Sequence, residues 1–207
     1  MASLKGPLMS FDASGQVGGA IVFAKWKGRN YVRRLVTPSN PNTLAQIGAR
    51  AIVKFVSQDY ANLSAGDIAD WQALAVSDNI TPLNAQLRDS ANRFRAGDMG
   101  RQNTTDTAIT TPNAPTAGTA TALPAALRVG WTAPAANPGD YCYVLYASTV
   151  TGFTTSSATI RAIVAYAKTS VDVNGLESGT PYYFRVRATT TSGQAGALLA
   201  QWTGTPS

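Results

Sequence analysis

"LESGTPYYFRVRA", residues 176–188, carries the most readable pattern in this 207-residue chain. A turn signal, Ser178-Gly179, gives way to strict alternation. Tyr182, Phe184, Val186 and Ala188 fall on one side and the intervening residues on the other, as in a strand with one face on a core. The same pattern appears upstream at short intervals. In "ALRVGWTAP" (126–134) the alternation points Leu127, Val129 and Trp131 inward. In "CYVLYAS" (142–148) it assigns Cys142, Val144 and Tyr146 to the core. Several short alternating strands separated by turns imply a β-sandwich over residues 113–207.

The residues that carry this reading resemble the fibronectin type III family. The inward Trp131 matches that family's tryptophan on its second strand. Leu176, Gly179-Thr180 and Tyr182, six residues after the leucine, resemble its strongest signature, continued by Phe184 and Val186. The resemblance implies a tyrosine corner, with the Tyr182 hydroxyl bonded back to the backbone. The chain departs from the family at Cys142, where an aromatic residue is usual. Cys142 reads as a small buried apolar group. The expected loop "TTTSGQAG" (189–196) holds no RGD, so nothing supports integrin-type adhesion. Such a fold is a spacer, display module or binding platform, and it fixes no function by itself. Tyr141, Tyr143 and Trp202 could stack on sugars, although ordinary packing is the favoured reading for them.

Ahead of the sandwich, "QNTTDTAITTPNAPTAGTAT" (102–121) is poor in charge and rich in Thr, Ala and Pro. It reads as a linker, placed at 102–112. Residues 1–101 then form a separate α+β domain, a β-hairpin with about three helices. The whole chain is expected to be that domain followed by an all-β immunoglobulin-like sandwich. The hairpin is "AIVFAKW" (20–26) and "YVRRLV" (31–36), joined by Lys27-Gly28-Arg29-Asn30. Val22, Ala24 and Trp26 alternate with Ile21 and Phe23, so both faces are partly apolar. A lone ribbon of this kind is marginal in water and needs a cover.

"TPSNPNT" (37–43) breaks the strand, and Asn42 or Thr43 can cap the next helix. Helix 44–63 presents Ile52, Phe55, Val56 and Tyr60 on one stripe. Ser64 with Asp67 resembles a capping pair for a second helix carrying Ile68, Trp71, Leu74 and Ala75. Thr81 and Pro82 open a third helix, 81–98, with Leu83, Leu87 and Phe94 inward.

Charge narrows the chemistry. Charged residues are only 14% of the chain, and the net charge is +6. Residues 1–101 carry twelve Lys/Arg against seven Asp, so most of the basic character lies there. There is no histidine and a single cysteine. That excludes an intrachain disulfide and a His/Cys metal site, and it removes the usual proton carrier of hydrolase triads. No catalytic, cofactor or metal residue is assigned. Asp67 and Asp70 read as dipole partners in a first helical turn. "GQVGG" precedes a strand and does not fit a phosphate-binding loop. No window of about 20 apolar residues marks a membrane span, and the first residues lack the shape of a signal peptide.

The order of motifs in residues 14–95 resembles a group of small virion proteins of tailed bacteriophages. The pieces are Ser14-Gly15-Gln16-Val17-Gly18-Gly19, Tyr31-Val32-Arg33, Pro38-Ser39-Asn40-Pro41-Asn42-Thr43, Gln46 with Arg50, and "ADWQALA" (69–75), with Asn84 and Asn92 in the third helix. The resemblance implies a virion component made in the host cytoplasm, present in many copies or as a homo-oligomer. Its partners would be the major capsid protein or other virion proteins. A capsid-decorating role with the sandwich displayed outward is the leading expectation. A tail, collar or connector protein is the alternative, and a carbohydrate or host-surface binder is another.

The ribbon is the candidate interface: Gly18, Gly19, Lys25, Trp26, Lys27, Arg29, Tyr31, Arg33 and Arg34. Its cations could neutralise phosphates while Trp26 and Tyr31 stack on bases. No helix-turn-helix, zinc or RNP signature stands beside it, so nucleic acid is disfavoured. A membrane-surface role is disfavoured because the segment is not an amphipathic helix. Flat Trp/Tyr/Arg chemistry on two apolar faces favours a protein partner.

Overall fold

A computed structural model describes residues 15–27, 29–37, 43–96, 98–104, 111–136 and 139–207. The chain divides into two compact units, Met1–Pro41 and Asn42–Ser207.

The first unit contains a three-stranded antiparallel sheet in the order β1(Gly15–Val17), β2(Ile21–Trp26), β3(Arg29–Arg34). The sequence predicts a two-stranded hairpin, and β1 adds a third strand to it. Gly18 and Gly19 both take positive φ, 58° and 67°, in the turn that brings β1 onto β2. Residues with a Cβ resist that conformation, which accounts for the glycine pair. The second turn is also tighter than expected. Trp26 pairs with Arg29 and Lys25 with Asn30, so Arg29 and Asn30 belong to β3. Two residues therefore separate β2 from β3, and the first of them, Lys27, has φ 48°. A two-residue turn with positive φ matches the right-handed twist of the flanking strands.

The second unit joins three helices to a β-sandwich. The helices are α1(Leu44–Tyr60), α2(Ala65–Asp78) and α3(Pro82–Ala96). Thr43 holds the cap position of α1 but makes no side-chain cap bond, and Asn42 lies outside the described residues. Ser64 does cap α2. Its hydroxyl oxygen accepts from the Asp67 N–H at 3.1 Å, and its O–H donates to the Asp67 carboxylate at 2.6 Å. Trp71 and Ala75 are fully buried, whereas Leu74, expected on the inner face, is 44% exposed. In α3 the inner face is Ala85, Gln86, Ser90 and Phe94; Leu87 packs at its margin and Leu83 is half-buried.

The sandwich strands are β4(Thr116–Leu123), β5(Ala126–Thr132), β6(Asp140–Ser148), β7(Ile160–Ala165), β8(Ser170–Asn174), β9(Tyr182–Thr190) and β10(Trp202–Gly204). One sheet runs β10-β9-β6-β7 and the other β4-β5-β8, with antiparallel pairing throughout. Between them lie Leu127, Val129, Trp131, Tyr143, Leu145, Phe184 and Val186, with Leu176 and Tyr182 at the margin. The Trp131 and Tyr143 rings meet edge-on at 5.2 Å. The Glu177 N–H donates to the Tyr182 hydroxyl oxygen at 3.1 Å, which closes the corner ahead of β9. Gly179 turns the chain there with φ 75°.

In β6 the inward set differs from the sequence expectation by one residue. Tyr143, Leu145 and Ala147 face the inter-sheet core. Cys142, Val144 and Tyr146 face the opposite way, into a second core with Ile52 and Val56 of α1 and Phe94 of α3. The aromatic residue that seemed missing at Cys142 is therefore Tyr143, its neighbour. A strand covered on both faces has no polar side to set its register by pattern.

The second core also changes the organisation of the chain. The helices pack on the outer face of the sandwich sheet, in one compact unit with it. The segment expected to open a linker is anchored at its start. Met99 is buried, and the Gln102 N–H donates to the Thr191 carbonyl at 2.8 Å. The Trp71 indole donates to the Gln102 carbonyl at 2.6 Å. Arg101 pairs with Asp89 at 3.1 Å. Residues 105–110 of the expected linker lie outside the described residues.

Candidate partner interface

Within the first unit, register assigns the faces of the ribbon. Phe23 stands opposite Val32 and Ile21 opposite Arg34, so Ile21, Phe23 and Val32 share one face. Ile21 is 43% and Val32 58% exposed. Val22 opposite Arg33 and Ala24 opposite Tyr31 make the other face, where Tyr31 is 41% exposed. Lys25, Lys27, Arg33 and Arg34 are exposed along the ribbon. Residues 15–37 contain five Lys/Arg and no Asp or Glu.

The geometry brings the named residues together on three short strands. Gly18 and Gly19 serve the β1–β2 turn. Trp26 and Arg29 are placed by their backbone as the pair flanking the second turn, and their side chains lie outside the described residues. Ser14 and the 38–42 corner also lie outside them. Exposed Ile21 and Val32 stand beside the exposed cations Lys25, Lys27, Arg33 and Arg34, which makes the ribbon both apolar and basic.

The other residues singled out by sequence have structural roles. Asp67 serves the α2 cap, and Asp70 accepts from the Thr104 hydroxyl at 3.4 Å. Tyr141 and Tyr143 are buried in the two cores, and Trp202 lies 6.0 Å from the Phe184 ring. Tyr141 and Tyr143 therefore offer no open ring face to a sugar, and Trp202 is half-buried. Among the described residues no cluster of three His, Cys, Asp or Glu could hold a metal, and no helix is long and apolar enough to cross a membrane.

Sequence reading missed two polar features of the second unit. One is the Asp59 carboxylate, which receives the Tyr141 hydroxyl at 2.6 Å and the Gln102 amide at 2.8 Å. The other is Arg161 on β7, only 9% exposed. The unbroken apolar run of β6 was the available signal. Such a run means cover on both faces, and a covered sheet needs polar groups at its margins.

Residues 113–198 match the model of the fibronectin type III domain family. A solved fibronectin-type-III-like protein from Clostridium thermocellum is 24% identical, with a TM-score of 0.39, covering 47% of this chain and 96% of that one. The sixth such domain of human fibronectin type III domain containing protein 3 is 26% identical, with a TM-score of 0.39, covering 49% and 92%. The chicken CNTN1 FN1–FN3 structure is 16% identical, with a TM-score of 0.40, covering 46% of this chain; the chain spans 32% of that structure. No curated protein matches the chain. The family match over residues 113–198, on the two-sheet sandwich described above, supports a C-terminal fibronectin type III domain and suggests an interaction or binding module.

Proposed function

We propose that the chain is a non-enzymatic attachment protein whose basic ribbon, residues 15–34, docks on an acidic protein surface. The observation that carries this is the exposed pair Ile21 and Val32, on a ribbon with five cations and no acid in residues 15–37. Apolar area removed from water drives such docking, at roughly 25 cal/mol per Å2. Cations around the apolar face steer the encounter and reject basic surfaces.

The setting we propose is the virion of a tailed bacteriophage, on the resemblance of the motifs in residues 14–95. The partner there is the capsid shell, which many copies would decorate and stabilise. Repetition makes a modest interface effective.

Two measurements test this. Mass spectrometry of purified virions should find the chain at hundreds of copies, scaled to the major capsid protein. A dozen copies or fewer would place it at the collar, connector or tail tip instead. Absence from the particle would end the virion reading. Separately, Val32→Glu with Arg33→Glu alters two exposed positions and should leave the protein folded but unable to bind. Normal incorporation of this double variant would refute docking through the ribbon.

A further inference from the structure

The second unit carries a groove of about 890 Å3 between α1, β7 and β8. One of its lining residues is Arg161. That residue is 9% exposed, yet among the described residues its Nε and Nη1 find no hydrogen-bond partner. Two other arginines with an unsatisfied Nε lie over aromatic rings, Arg185 over Phe153 at 5.6 Å and Arg187 over Tyr146 at 5.5 Å. Among the described residues no aromatic ring lies under the Arg161 guanidinium in this way. Buried donors are nearly always satisfied, and a guanidinium most of all. Burial also lowers its proton affinity, against the neighbouring Tyr182, which raises it.

The surroundings specify the missing group. Lys54 and Lys168 line the same groove. Of its acids, Asp172 is committed to Arg128 at 2.7 Å and Asp59 to Tyr141. Arg50 and Asp140, also in the lining, are already engaged. β7 ends its sheet, with β6 on one side only. An edge strand beside an open groove accepts an extended segment by strand addition. A planar guanidinium fork recognises a carboxylate through two parallel hydrogen bonds.

We infer that this groove binds an extended acidic peptide segment along β7, with one carboxylate seated on Arg161. This site is distinct from the ribbon and independent of what the ribbon binds.

The test is a titration of the full chain, followed by 15N–1H correlation spectra, with the hexapeptide acetyl-Val-Glu-Val-Glu-Val-Glu-amide. The same peptide with Gln for Glu and inorganic phosphate serve as the other two probes. Saturable shifts of α1, β7 and β8 are expected with the Glu peptide, whatever the ribbon does, and at least tenfold tighter than with either control. Arg161→Lys keeps the charge and removes the fork, and should weaken binding at least tenfold. Should that variant unfold, Lys168→Ala changes an exposed residue and should weaken binding about threefold. Equal binding of the Gln peptide, phosphate binding as tight as the Glu peptide, shifts that spare α1, β7 and β8, or no saturable shift would each overturn the inference.

Discussion

The Tyr141 hydroxyl donates to the Asp59 carboxylate at 2.6 Å, across 82 residues of sequence. This bond fastens α1 to the first residues of β6. Gln102 joins it from the segment behind α3, at 2.8 Å. One carboxylate therefore holds a helix, a strand and a connecting segment together. Asp59→Ala leaves the Tyr141 hydroxyl and the Gln102 amide without a partner. The expected loss is about 1–3 kcal/mol in urea unfolding, the cost of stranding buried donors. Asp59→Asn keeps an acceptor and should lose clearly less. No loss in Asp59→Ala would mean that the network contributes no stability, and equal losses in both variants would mean that an amide oxygen cannot replace the carboxylate.

The same carboxylate sets a pH dependence. Burial pushes the Asp59 carboxyl above its ordinary range, against the hydrogen bonds that lower it. The folded chain thus holds this proton more tightly than the unfolded chain. The contribution is full below the unfolded carboxylate value and is lost as pH rises through the folded one. Wild type should therefore gain stability relative to Asp59→Asn on acidification through that window. Denaturant titrations at a series of pH values measure this difference. A constant difference would show that the carboxyl is not raised.

Gly48 explains how α1 can lie so close to the sandwich. A Cβ there would press into the Ser157 carbonyl oxygen and approach the Ile160 carbonyl oxygen at 3.4 Å. Both are backbone atoms that cannot swing aside. Gly48→Ala should cost on the order of 1 kcal/mol or more net, because overpacking outweighs the helix gain of about 1 kcal/mol. Gly66 in α2 is the control. Its Cβ would meet only the Ser64 hydroxyl, at 3.7 Å. Gly66→Ala should stabilise by several tenths of a kcal/mol, up to about 1. Thermal unfolding of the pair reads both signs, and a stabilising Gly48→Ala would contradict the close contact.

These residues also show which parts of the fold were legible beforehand. The sandwich was, because β9 keeps one face on the core and alternates cleanly over Tyr182–Ala188. The helices were, because Ser64, Thr81 and Pro82 are local start signals. The face of β6 was not, since both of its faces are apolar. That single ambiguity hid the second core, and with it the attachment of the helices to the sandwich. Gly48 looks like a helix defect until the Ser157 carbonyl is placed against it. Asp59 and Arg161 acquire meaning only from partners, present or missing, that are distant in sequence. The ribbon's basic and apolar character was legible from composition alone, whereas its third strand depended on a Gly18-Gly19 turn that reads equally well as a flexible arm.

Cys142 offers a probe of the second core. It is buried against Thr189, with Sγ 3.0 Å from the hydroxyl oxygen. Burial pushes its thiol up to about 12. The thiolate is the reactive form, so the native protein should resist a disulfide reagent at pH 8. Labelling should then follow unfolding, at the rate at which α1 lifts or the chain opens globally. Stoichiometric reaction within seconds in native buffer would show the core to be open.

Ala125 carries backbone strain that a substitution can release. It sits at φ 50° in the tight turn between β4 and β5, after Pro124. Proline followed by a positive φ suits a turn that prefers glycine at the second position. The residue is held there from both sides. Its N–H donates to the Ser207 carbonyl at 3.0 Å, and its carbonyl accepts from the Leu176 N–H at 3.1 Å. Left-handed backbone costs alanine roughly 1–2 kcal/mol, while glycine's extra freedom in the unfolded chain returns about 0.4–1 kcal/mol of that. Ala125→Gly should therefore stabilise the protein by a few tenths to about 1 kcal/mol. Ala126→Gly, one residue on in β5 and buried, should destabilise it by about 0.5–1 kcal/mol or more. Opposite signs at adjacent alanines in thermal unfolding would identify the turn as the strained element. A loss at both positions would mean that the Ser207 and Leu176 bonds need the alanine's restricted backbone more than they suffer from its strain.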